Sequence, residues 1–181
     1  MRPWIVAVVA VAAAPLAAEA PRFTPGDAPA ELRPALARAE AAIRAAACDV
    51  ERRFGEGDPD ANASSCEGAR VVPGVAVGRT SARLRNPENA PPGWARGTVA
   101  ATDGRKAADA PAVAFDLGDR VGLLRPIEVR RRCLACHAAR AALSPETREW
   151  LERAYPQDRA LGYALGDLRG YWWAEAPKGS R

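Results

Sequence analysis

The sequence predicts an α+β domain in which helices flank one antiparallel sheet. Three observations predict it. Residues 31–54 repeat apolar side chains at intervals of three and four. Two β-rich runs, 112–117 and 120–129, flank the turn dipeptide Gly118-Asp119. A last β-rich run over 168–175 carries Tyr171, Trp172 and Trp173, the aromatic signature of a half-buried strand.

The elements follow in order. Residues 1–20 read as a secretory signal: Arg2 leads, an apolar run extends from Trp4 to Leu16, and Ala18-Glu19-Ala20 forms a small-x-small cleavage site. The apolar run is shorter than the roughly 20 residues a spanning helix needs. No stable membrane span is therefore expected after cleavage, and the mature chain is expected in the periplasm or secreted. Residues 21–30, rich in Pro, Gly and Ala, read as a linker. The domain is expected over 31–176, with a short tail over 177–181.

In the first helix, Leu32, Leu36, Ile43, Ala47, Val50 and Phe54 form the apolar stripe, and Gly55-Glu56-Gly57 ends it. A second face carries Ala37, Ala41, Ala45 and Cys48. It is either a close approach for a flat ligand or an alanine-rich solvent face. Asp58-Pro59 opens a weak helix to about Arg70, which carries Cys66. Val71 to Leu84 reads as a strand, broken by Asn86-Pro87. Residues 89–94 read as loop, and 98–110 follow no clear period. Ser144-Pro145 caps a helix over 145–154.

The chemistry concentrates in Cys133-Leu134-Ala135-Cys136-His137, which contains the chain's single histidine. C-x-x-C-H is the attachment signature of a c-type haem. Two thiols add to two vinyl groups, and the adjacent imidazole falls under the iron. The spacing therefore predicts one covalently attached haem c, with thioethers at Cys133 and Cys136 and a proximal ligand at His137. A zinc site needs four N or S ligands, and only Cys48 and Cys66 remain to complete one.

Counting constrains the other side of the iron. The only methionine is Met1 and no second histidine exists, so neither a His/Met nor a bis-histidine pair is available. A sixth ligand must come from Cys48, Cys66, Lys106, Lys178, a tyrosine or the amino terminus. Otherwise the position is open to water or a small ligand. A Cys48–Cys66 disulfide is a further alternative, suited to an oxidising compartment.

The net charge is +4, and Lys106 and Lys178 are the only lysines among 26 basic residues. That bias reads as a base-composition effect, and no nucleic-acid partner is expected. Arg130-Arg131-Arg132 is either a solvated turn or a set of propionate partners, which guanidinium suits by its bidentate geometry.

Several segments together resemble a known family. They are Gly78-Arg79-Thr80-Ser81, Leu84-Arg85-Asn86-Pro87-Glu88-Asn89-Ala90-Pro91, the C-x-x-C-H run, Tyr155-Pro156-Gln157-Asp158-Arg159-Ala160 and Gly166-Asp167-Leu168-Arg169-Gly170. The pattern is similar to small exported single-haem c-type proteins, catalogued as a domain of unknown function. The resemblance implies a PAS-like fold and a haem held by histidine on one face and a cysteine thiolate on the other. It implies Cys133, Cys136 and His137 in the roles given above. It places the distal thiolate on the helix before the Gly-Arg-Thr-Ser strand, where this chain offers Cys48, the preferred candidate, or Cys66. It also implies Arg79, Arg85 and Asn86 as lining of the haem pocket.

The function expected is a redox- or gas-responsive haem sensor or binding module, with a diatomic gas or a redox protein as partner. The alternative is a low-potential electron-transfer cytochrome. An enzyme is not expected, because no distal histidine offers peroxidase acid–base chemistry.

Overall fold

The computed structural model describes residues 20–54 and 71–179, the side chains of 51–54 excepted. Strand β1 (Arg22–Phe23) is followed by helix α1 (Arg33–Phe54) and strand β2 (Ala76–Thr80). Helix α2 (Arg96–Ala101), strands β3 (Val113–Asp116) and β4 (Arg120–Glu128), helices α3 (Leu134–His137) and α4 (Pro145–Ala154), and strand β5 (Leu168–Pro177) complete the order. The five strands form one antiparallel sheet in the order β1-β3-β4-β5-β2.

The sheet builds outward from a hairpin. Asp116 Oδ1 accepts the Gly118 N–H at 2.9 Å, and the Leu117 N–H reaches the Arg120 carbonyl at 3.0 Å. This closes β3 onto β4 at the predicted turn. Leu123 and Leu124 are both 0 % exposed and point to opposite faces, so β4 is buried on both sides.

Helix α1 covers one face. Leu32, Ala35, Leu36, Ala39 and Ile43 pack on Ala114, Val121, Leu123, Ala174 and Ala176. The short alanines at 35 and 39 let the helix lie close to the sheet. The core stripe is therefore narrower in volume, and more alanine-rich, than the leucine-based stripe predicted. Ala47 and Val50 are only half-buried. The opposite face is covered by Ala95, Val99 and Ala110, with Trp94 stacked obliquely on Phe115 at 5.0 Å. Trp173 lies there too, and a methyl group on its cross-strand partner Gly78 would meet the indole at 2.8 Å.

Three differences from the sequence reading have physical reasons. The segment expected as a linker contains β1, which pairs with β3, and Ala28 is buried beside Leu32. Two residues of edge pairing are too short to produce an alternating pattern. The strand predicted over 71–84 spans only 76–80, because Ser81 to Leu84 turn away from β5. The region without clear period holds α2, a helix of six residues. The weak helix predicted over 58–70 and all but the last residue of the signal segment predicted over 1–20 lie outside the described residues, as does Cys66. Among the described residues, no helix is long and apolar enough to cross a membrane.

Candidate haem-attachment site

The β4–β5 pairing continues past the strand ends. The Val129 N–H donates to the Asp167 carbonyl at 2.9 Å, and the Gly166 N–H to the Val129 carbonyl at 3.0 Å. Residues 129–167 thus form an excursion whose two ends are fastened together. The Lys106–Asp167 ion pair (2.5 Å) braces that neck, and Asp167 also accepts the Ala164 N–H at 2.7 Å. The Lys106 bond, and then the Ala164 bond, hold the Asp167 carboxyl below its usual range.

Helix α3 lies at the start of this excursion. Cys133 caps it and Cys136 follows three residues later, one helical turn on. Both are free and half-buried. His137 is the last helical residue. Its carbonyl accepts the Tyr163 N–H at 3.0 Å, and the Ala138 carbonyl accepts the Gly162 N–H at 3.1 Å. The motif is thereby fastened to the returning chain.

The imidazole has a defined tautomer. Nδ1 lies 2.7 Å from the Ala160 carbonyl oxygen, which can only accept, so Nδ1 carries the proton. The Nε2 lone pair is left to accept, and the Arg169 Nε–H donates to it at 3.5 Å. Tyr163 stands edge-on to the ring at 6.1 Å. Burial, followed by the nearby Arg169 charge, pushes the His137 pKa down to about 4, against the opposing bond to Ala160. The ring is therefore neutral at neutral pH, the form that binds a metal.

Three arginines surround it. Arg85 donates from Nε to Asp158 Oδ2 at 2.9 Å and from Nη2 to the Cys136 carbonyl at 2.6 Å. The second bond caps the C-terminal end of α3. Asp158 Oδ1 accepts the Ala160 N–H at 2.7 Å. Arg83 lies 3.9 Å over the Tyr163 ring, and its buried Nε makes no hydrogen bond, although Asp103 is 3.4 Å away. Arg169 reaches the Arg83 carbonyl at 3.4 Å and is paired with no carboxylate among the described residues. Burial lowers its pKa.

The residues expected in the pocket divide. Cys133, Cys136, His137 and Arg85 come together. Arg79 does not join them: it is exposed on β2, with its guanidinium 5.5 Å from the Trp172 ring. Asn86 caps a short 3₁₀ turn, its Oδ1 accepting the Glu88 N–H at 3.0 Å. Arg85 is committed to Asp158 and Cys136, and Arg83 is paired with Asp103, which leaves Arg169 as the cation of the three without a carboxylate partner among the described residues.

Cys48, the preferred distal candidate, is 3 % exposed on α1 and disulfide-bonded. A disulfide sulfur offers no thiolate, so in this structure Cys48 is not a free iron ligand. Cys133 and Cys136 are free. The alanine face of α1 borders a groove of about 320 Å³ lined by Ala37, Ala41, Ile43 and the Glu40–Arg125 ion pair.

Asp158, Ala160, Arg83 and Arg169 are not assigned to the site by the sequence, and Tyr163 reads there as a core residue that could also pack against haem. Asp158 and Ala160 lie in one segment of the family resemblance, and Arg169 in another. That was their only signal.

The donor set fits a covalently attached haem: two free thiols one turn apart, a neutral histidine presenting Nε2, and beside it the Arg169 guanidinium, paired with no carboxylate among the described residues. No group of three or more His, Cys, Asp or Glu among the described residues is placed to hold a metal ion directly. The site thus defines the class as a C-x-x-C-H protein built on an α+β sheet domain. Within it, the Tll0287-like family matches residues 34–177, and the chain belongs to that family. Among solved structures, the chain is similar to the cyanobacterial heme-protein Tll0287, at 28 % identity and a TM-score of 0.49, over 60 % of this chain. It spans 65 % of that protein's length. No curated protein matches.

Proposed function

We propose that the chain is an exported haem protein of the periplasm that acts as a redox- or gas-responsive binding module. One observation carries the reading: the single histidine ends a C-x-x-C-H helix with Nδ1–H fixed on Ala160 and Nε2 presented as the acceptor. Family membership and the heme-protein relative support it. The PAS-like description rests on the resemblance and is supported by the strand order β3-β4-β5-β2.

In this reading Cys133 and Cys136 hold one haem c by thioethers and His137 is the proximal ligand. Arg169, without a carboxylate partner among the described residues, would be the cation that meets a propionate. The haem supplies an iron that changes charge and takes up small ligands. The chain holds the imidazole neutral and oriented, and it controls the sixth position. The Cys48 disulfide favours a form in which that position is open to a diatomic ligand. A thiolate from Cys48 or Cys66 would close it. Binding rather than catalysis is proposed, since no distal acid–base group is supplied.

An electron-transfer cytochrome is the second reading. It is favoured by the half-exposed thiols of α3, which would set a haem edge near the surface.

The test is expression with haem-attachment machinery, followed by absorption and low-temperature EPR in both oxidation states. Haem that stays on the chain through a denaturing gel is expected, together with ligation that changes on reduction. Constant ligation in both states would favour electron transfer. A chain without covalent haem would overturn both readings.

A further inference from the structure

Asp158 accepts two hydrogen bonds at the site, yet neither the attachment chemistry nor the binding reading uses it. Its side chain is 7 % exposed. One oxygen accepts the Ala160 N–H at 2.7 Å, and Ala160 is the residue whose carbonyl holds His137 Nδ1–H. The other oxygen accepts from Arg85 Nε at 2.9 Å, and Arg85 Nη2 lies 3.3 Å from the same Nδ1. Both nitrogens there carry protons, so the Arg85–Nδ1 approach is a contact of like-signed hydrogens and not a bond. It is tolerable because Asp158 neutralises the guanidinium.

We infer that Asp158 is a positioning residue that sets the orientation of His137 and, with Arg85, the electron-donating strength of its imidazole. Partners behind a ligating histidine fix its tautomer and tune the metal. Here the partner is a backbone carbonyl, and the carboxylate acts one step further back. It does so by holding residue 160 and by cancelling a cation beside the ring. This inference rests on the haem reading.

The signs follow from charge. Removing Asp158 leaves a buried cation beside the imidazole, which favours the less positive ferrous state and raises the midpoint potential. Removing Arg85 leaves an uncompensated carboxylate and lowers it. A merely structural lesion has no reason to give opposite signs that cancel.

The experiment is potentiometric titration of the haem-loaded protein and its Asp158→Asn, Arg85→Gln, double and Asp158→Glu variants. Asp158→Asn is expected to shift the potential upward and Arg85→Gln downward. The double variant is expected to return toward the parent, and Asp158→Glu to stay near it. If Asp158→Asn fails to fold or load, Arg85→Gln still decides the matter through its sign. A loaded variant with unchanged potential, or two single variants shifting in one direction, overturns the role of Asp158 while the haem reading stands. A parent chain that takes up no haem overturns the haem reading and this inference with it.

Discussion

The α1 face of the sheet and the β4–β5 excursion are built on different principles. On the α1 face, Leu32, Leu36, Ile43, Val121 and Leu123 meet as apolar groups. In the excursion, the buried apolar residues are Val129, Leu143, Leu151, Ala160 and Tyr163, and of these Val129, Ala160 and Tyr163 cluster beside the motif. The rest is held by directional bonds between Asp158, Arg85, Arg169, His137 and backbone carbonyls. Area burial is non-directional and stabilises roughly in proportion to surface. Charge-assisted bonds fix angles. The first region holds the fold together, and the second aims a ring.

Changes at the motif should break the second region and spare the first. Cys133→Ala with Cys136→Ala is expected to abolish haem that survives a denaturing gel, while circular dichroism retains the sheet. Core truncation should do the reverse. Leu123→Ala, at a fully buried position, is expected to cost about 2–5 kcal/mol of stability by denaturant unfolding. A proportionate loss of haem attachment at low denaturant would mean that the two regions are not separable.

A substitution between the regions sharpens the comparison. Gly170 has φ +150° beside Arg169, and a Cβ there would meet the Thr80 carbonyl oxygen at 2.1 Å. Gly170→Ala should separate β2 from β5, lower stability by roughly 1–3 kcal/mol, and alter the haem spectrum. An altered stability with an unchanged spectrum would place Gly170 wholly in the packing region. Ser144→Ala removes the α4 cap to the Thr147 N–H and should cost about 1 kcal/mol, with no spectral change.

The smallest effect concerns acid. Bonds from Lys106 to Asp167 and from Lys178 to Asp116 hold both carboxyls below their ordinary values. A depressed carboxyl contributes stability above its unfolded pKa of about 3.9 and loses it as pH falls through the folded value. Lys106→Ala should therefore flatten stability against pH below about 4, read by unfolding at a series of pH values. An unchanged slope would remove the neck ion pair from the account.

Much of the packing region was legible in the sequence. The 3.6-residue period gave α1, Gly118-Asp119 gave the hairpin, and Ser144-Pro145 gave α4 with its bounds. The same local signals failed where an element was too short to repeat, as in β1 and α2. At the site, C-x-x-C-H was legible because both thiols and the ring lie within one helical turn. The arginines were not. Arg79, Arg83, Arg85 and Arg169 are chemically identical in a sequence. Only the β2–β5 register and the fold-back of residues 158–163 decide which of them faces His137.

The sequence by itself determined the ligand inventory: one histidine, four cysteines and a lone methionine at position 1. It also determined the local elements, because both properties depend on residue type and short-range spacing. Tertiary structure alone decided the tautomer of His137, its neutrality, the disulfide state of Cys48 and the pairing of Arg85 with Asp158. The contacts of His137 and Arg85 depend on groups brought from at least twenty-three residues away, and loop closure over such distances leaves no periodic trace in the chain.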